Sequence, residues 1–118
     1  MGTVSGRPMR RGDVVVIADR DGGDYGGKPR PAVIIQSELF LETGSIVVCL
    51  LTTQETGAPL LRIPVAANSA SGLQRPSRIA VEKLVSVRRE RIGQHLGRLA
   101  DDELVALNRS LAVFLGLA

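Results

Sequence analysis

Two residues of this 118-residue chain, Arg30 and Thr52, have side chains suited to phosphodiester chemistry. A guanidinium stays charged at every working pH, and its planar fork grips two phosphate oxygens at once. The same fork stabilises the extra charge of a pentacoordinate phosphorus transition state, where preorganised donors contribute most. RNA carries its own nucleophile, the 2′-hydroxyl, the group that separates it from DNA. Internal transesterification therefore asks a protein for charge and position, and for neither a metal nor a protein nucleophile.

Each residue taken singly has a plainer reading. Arg30 fits a strand-end arginine in a surface ion pair, and Thr52 and Thr53 fit β-formers that finish a strand. Tyr25, the only tyrosine, is either a loop anchor or a platform for a base. Arg75 and Arg78, on either side of Pro76, are either a solvated basic face or a grip on phosphates. Arg88, Arg89 and Arg91 read as solvated or interfacial.

Other site chemistries lack their residues. Cys49 is the only cysteine, so an intramolecular disulfide is impossible. It lies inside an apolar run and reads as a buried small hydrophobe. His95 is the only histidine, with no partner at metal-ligand spacing and no nucleophile elbow to serve. No Gly-rich turn ends in Gly-Lys-Ser/Thr. The glycines between Gly22 and Gly27 lead into Pro29 and a strand, so they open no dinucleotide-binding helix. A loop carboxylate such as Asp24 is the remaining candidate for a general base.

The elements that must position these residues follow from the pattern. Residues 13–18 are short, apolar and β-branched and predict a strand. Residues 19–29 are rich in glycine and charge and predict a loop longer than a hairpin needs, the kind that carries a binding surface. Residues 31–36 and 45–51 predict a second and third strand, the third apolar enough for burial on both faces. If these two are antiparallel neighbours, the start of one lies beside the end of the other. Arg30 and Thr52 then meet at one end of the sheet, with Thr53 and Gln54 next to them.

Residues 60–65 predict a fourth strand, and 77–81 and 83–87 two more or one bent strand. A short helical turn fits near residues 88–93. Leu104, Leu107, Leu111 and Leu115 recur at helical spacing, behind the acidic residues Asp101, Asp102 and Glu103 and ahead of Gly116. Strands first and a helix last give a mainly β chain with α (α+β) and no βαβ alternation. The economical architecture is a small SH3-like barrel of short antiparallel strands closed by a C-terminal helix.

The bulk numbers agree. With 44% hydrophobic and 23% charged residues, the chain has the composition of a globular protein, and its core must be aliphatic because it has no Trp. A net charge of +3 is compatible with a polyanionic partner. Residues 1–9 read as a flexible N-terminal tail and 10–118 as a single domain. No segment resembles a signal peptide or a membrane span, so a cytoplasmic location is the expectation.

Several segments, in order, resemble the MazF/PemK toxins of bacterial toxin–antitoxin modules. Arg11-Gly12-Asp13-Val14 is similar to that family's opening. Gly27-Lys28-Pro29-Arg30-Pro31-Ala32-Val33-Ile34 is similar to its RPA-containing strand, and Val48-Cys49-Leu50-Leu51-Thr52-Thr53-Gln54 to its strand ending in threonine. The segments 79–87 and 92–99, with the helix after them, extend the likeness from about residue 10 to residue 117. Glu82-Lys83 stands where the family often has Asp-Gln, and Ala100 where it often has a Ser-type helix cap.

The resemblance implies an SH3-like homodimer that cuts single-stranded RNA sequence-selectively, leaving 2′,3′-cyclic phosphate and 5′-hydroxyl ends. Arg30 and Thr52 would be catalytic, no metal or other cofactor would be needed, and Asp24, Tyr25, Lys28, Thr53, Gln54 and Arg78 would bind RNA. It also implies a cognate antitoxin whose tail occupies the RNA groove. Two alternatives compete. One is a gyrase poison of the CcdB type, which shares the fold but depends on a Trp-Gly-Ile ending that is missing here. The other is a non-catalytic SH3-like binding module.

Overall fold

The computed structural model describes residues 3–4, 7–18, 29–54 and 59–118. Two strands of two residues, β1 (Thr3–Val4) and β2 (Arg7–Pro8), pair with each other. The main sheet holds β3 (Asp13–Ile17), β4 (Arg30–Ile34), β5 (Ser45–Thr52), β6 (Arg62–Val65), β7 (Ser77–Arg88) and β8 (Ile92–Arg98). Its order is β6-β7-β5-β4-β3-β8, and every neighbouring pair is antiparallel. One helix, α1 (Asp101–Phe114), follows the last strand.

The expected antiparallel sheet with its C-terminal helix is therefore present, as an open ladder: β6 and β8 are edges that do not pair with each other. It must nevertheless curl. Only the turn Arg89–Arg91 joins β7 to β8, which stand second and sixth in the order. Four strand spacings in a flat sheet cover roughly 19 Å. Four residue steps reach about 14 Å at most. Curling brings the end of β7 to the start of β8.

The alternation of side chains divides the core between the two faces of this sheet. Val15, Ile17, Ala32, Ile34, Ile46, Val48 and Leu50 pack with Val87 and Ile92 on one face. Val14, Val33, Cys49, Leu51, Ile79 and Val81 pack with Leu107 and Leu111 of α1 on the other. The apolar run of β5 is thus buried on both faces, as its sequence predicts. Met9, at the end of the segment read as a tail, is buried in the first of these clusters.

The helix forms where its leucine spacing places it. Ala100 has no side chain with which to cap it, and Glu103 compensates: its Oε1 accepts from the Ala100 N–H at 2.8 Å and its Oε2 from the Ala66 N–H at 3.1 Å. At the other end Gly116 adopts φ +74°, and the Leu117 N–H donates to the Ala112 carbonyl at 2.7 Å, closing the last turn.

One expectation needs correction. Residues 59–61 form a 3₁₀ turn, so the fourth strand begins at Arg62 instead of residue 60. Residues 77–88 form one continuous strand, the second of the two readings the sequence allows, with a shift of its register against β5 between Ile79 and Leu84. After the turn at 89–91 comes the seven-residue strand β8, which the sequence pattern does not predict.

Candidate active site

The neighbouring strands β4 and β5 bring Arg30 and Thr52 to one cleft. Ala32 pairs with Leu50, Val33 with Cys49 and Ile34 with Val48. The paired register ends at Ala32 and Leu50, and Arg30, two residues before Ala32, and Thr52, two residues after Leu50, lie at the same end of the two strands. Ala32, Ile34, Val48 and Leu50 all belong to one face, so the period of two places Arg30 and Thr52 on that face as well. They line a common cleft of ≈ 280 Å³ with Thr53, Gln54 and Ser77.

Thr52 is 9% exposed, and its Oγ1 accepts from the Gln54 N–H at 3.1 Å. This bond turns the chain as β5 ends and holds Thr53 and Gln54 at the cleft. On the other side of Thr52, Arg78 of β7 stands directly opposite it in the ladder. Arg78 is half-buried and lines a second cleft of ≈ 340 Å³, shared with Thr53, Ser77, Pro64, Asp102 and Glu103. Thr52 thus pairs with Arg78 in the ladder and shares its cleft with Arg30.

A third cleft, of ≈ 900 Å³, opens on the β3 and β8 side and is lined by Val16, Pro31, Leu73, Gln74, Arg75 and Leu96, among others. Thr53 and Ser77 line all three clefts and join them into one groove. Ser77 is 7% exposed, and its hydroxyl donates to the Arg75 carbonyl at 3.0 Å. Sequence reasoning singled out Arg75 and Arg78 but missed Ser77 between them, because a lone serine after a proline carries no signal of burial. Among the other predicted residues, Asp24, Tyr25 and Lys28 lie outside the described residues.

The remaining titratable groups play other parts. Burial pushes the Cys49 thiol up to about 12, so it stays a thiol and is no nucleophile. Asp13, 3% exposed, is held by the Arg10 N–H at 2.9 Å and by Arg98 Nη1 at 3.2 Å, and His95 Nε2 lies 3.6 Å from it. Arg98 Nη1 also donates to the Arg11 carbonyl at 2.8 Å. This cluster ties the start of β3 to β8, and His95 lines none of the three clefts. No group of three His, Cys, Asp or Glu side chains able to hold a metal ion occurs among the described residues. No described helix is long and apolar enough to cross a membrane.

The sequence and the fold have counterparts among known proteins. A profile of the PemK-like, MazF-like toxins of type II toxin–antitoxin systems matches residues 10–115. The chain is 44% identical to a probable endoribonuclease MazF of Mycolicibacterium smegmatis, over 93% of this chain and 99% of that one. Its fold matches a mycobacterial endoribonuclease solved with its cognate antitoxin, with a TM-score of 0.76 and 22% identity over 93% of this chain and 97% of the other. It also matches the Mycobacterium tuberculosis toxin MazF-mt6, with a TM-score of 0.75 and 20% identity over 90% and 98% of the two chains. A MazE–MazF structure from Deinococcus radiodurans gives a TM-score of 0.72 and 19% identity, over 93% and 98%.

Proposed function

The chain belongs to the PemK-like, MazF-like toxin family of type II toxin–antitoxin systems, and from that premise we propose that it is an endoribonuclease that cuts single-stranded RNA sequence-selectively, without a metal, at the cleft of Arg30 and Thr52. The 2′-oxygen attacks the adjacent phosphorus and the bond from phosphorus to the 5′-oxygen breaks. The products carry a 2′,3′-cyclic phosphate and a 5′-hydroxyl. One proton leaves the 2′-hydroxyl and one arrives on the departing 5′-oxygen, so the reaction consumes no water.

Arg30 binds the non-bridging phosphate oxygens and stabilises the charge they gain as phosphorus becomes pentacoordinate. Thr52 donates its hydroxyl to the same phosphate while its oxygen keeps the bond from the Gln54 N–H. Thr53, Gln54 and Arg78 hold the flanking nucleotides along the groove, and Asp24, Tyr25 and Lys28, ahead of β4 in the sequence, contribute further contacts to the RNA. The chain works as a homodimer in the cytoplasm, and a cognate antitoxin silences it by covering the groove. The observation that supports this reading is the cleft that Arg30 and Thr52 share at one end of the paired strands β4 and β5.

The test is cleavage of a mixed RNA pool in EDTA, with the chemistry of both product ends determined. Cyclic phosphate and 5′-hydroxyl ends that vanish with Arg30→Ala support the proposal. Intact RNA with the wild-type protein, or cleavage that needs added metal, defeats it.

A further inference from the structure

The largest of the three clefts is built differently from the one that holds Arg30. Its walls include Val16, Pro31, Leu73 and Leu96, an apolar lining suited to the flat face of an unpaired base. Its volume of ≈ 900 Å³ is about three times that of the Arg30–Thr52 cleft, at ≈ 280 Å³. Its polar reach comes from Gln74 and Arg75, both exposed, on the loop before β7.

That loop is firmly anchored. Ser71, 2% exposed, donates its hydroxyl to the Ala66 carbonyl at 2.7 Å and accepts from the Asn68 and Leu73 N–H groups. The Gly72 N–H donates to the Asn68 carbonyl at 2.9 Å, and the Arg98 N–H of β8 donates to the Ala70 carbonyl at 2.8 Å. Gly72 adopts φ +72°, and a Cβ built there would stand 1.9 Å from the Leu96 carbonyl oxygen. The chain here is seated against β8 so closely that only glycine fits. Two long polar side chains are therefore presented from a fixed base, the arrangement a reading site needs.

We infer that this cleft is the base-reading subsite of the ribonuclease and that Gln74 determines which base it accepts. The inference rests on the proposed ribonuclease function. A glutamine amide offers a donor and an acceptor side by side, matching the paired acceptor and donor on one edge of a base. Arg75, one residue on, supplies charge for the phosphate beside that base. Thr53 and Ser77 border both this cleft and the Arg30 cleft, so the base read lies next to the bond that is cut.

The test is cleavage of a randomised single-stranded RNA library, with the new 5′ ends sequenced, by the wild-type protein and by Gln74→Glu and Gln74→Ala. The carboxylate has the shape of the amide but no donor. The expected result is a change of roughly tenfold in relative base preference at one position beside the scissile bond for Gln74→Glu. Gln74→Ala should flatten preference at that position alone. Because Gln74 is exposed, both variants should melt with the wild-type protein. Preferences unchanged at every position, or a uniform loss over all sequences, would overturn the inference and leave the cleft to a protein partner. A wild-type protein that cuts no RNA would defeat the ribonuclease proposal and this inference together, a result distinct from active variants with unaltered preference.

Discussion

The ladder between β5 and β7 has two ends, and both set a hydroxyl opposite an arginine. Ser45 faces Arg88 at one end and Thr52 faces Arg78 at the other. Their surroundings differ. At the Ser45 end the polar groups serve the chain itself. Arg89 Nε donates to the Thr43 carbonyl at 3.3 Å, the Thr43 hydroxyl to the Ser45 carbonyl at 2.6 Å, and Gln36 Nε2 to the Phe40 carbonyl at 2.8 Å. At the Thr52 end Arg30, Thr53, Gln54 and Arg78 border clefts. An arginine at a cleft wall can meet a phosphate, whatever else it holds, whereas Arg89 is turned to a loop carbonyl of its own chain. Composition does not separate the two, since both ends are basic and rich in hydroxyls.

The largest effect that could break this contrast is on catalysis. Arg30→Ala should lower the cleavage rate by about a hundredfold or more, because it removes a transition-state donor. Arg89→Ala, at the other end, should cut at nearly the wild-type rate. Equal losses in the two variants would erase the distinction between the ends.

Thr52→Ala should slow cleavage by about tenfold, roughly the contribution of one hydrogen bond to a charged group. Ser45→Ala should leave the rate where it was. A Thr52→Ala enzyme with wild-type turnover would reduce Thr52 to a turn former.

Removing Asp13 sharpens the comparison from the stability side, since its charge is used structurally. Asp13→Ala leaves the Arg10 N–H and the Arg98 guanidinium short of their shared acceptor. The expected cost is about 3 kcal/mol in urea unfolding. A loss below about 0.5 kcal/mol would show the Asp13 cluster to be ornamental.

The smallest effect concerns Glu82. Burial raises its pKa, but the hydrogen bonds from Arg62 and its own backbone, with the Arg62 charge, outweigh this and hold the carboxyl below the usual glutamate value of 4.5. A carboxyl lowered on folding stabilises the protein above its unfolded value, and that contribution is lost as pH falls through the folded value. Stability measured from neutral pH to below pH 4.5 should therefore fall by up to about 1 kcal/mol more in the wild type than in Glu82→Gln. Identical pH profiles would assign the pair no energetic role.

Much of this was legible in the sequence. The β-branched runs of β3, β4 and β5 and the leucine spacing of α1 report burial directly, and antiparallel pairing was enough to bring Arg30 and Thr52 to one end of the sheet. The strand β8 was not legible. Ile92-Gly93-Gln94-His95-Leu96-Gly97-Arg98 has neither the period of a half-buried strand nor strand-forming composition. It is extended because β3 supplies its hydrogen bonds, with two register shifts along the pair. The groove was illegible for a related reason. Val16, Leu73, Gln74, Ser77 and Leu96 come from four parts of the chain, and only the curl of the sheet and the anchored loop at 68–72 bring them to common walls.

The central claim is that Arg30 acts through its planar fork on the scissile phosphate. Single-turnover cleavage by folded Arg30→Lys, in EDTA and beside the wild type, tests it most directly. The fork cannot be reproduced by a point charge, so the rate should fall by about a hundredfold or more while the melting temperature stays unchanged. Cleavage at the wild-type rate by the lysine variant would contradict the claim and leave Arg30 as a general cation at the wall of a groove.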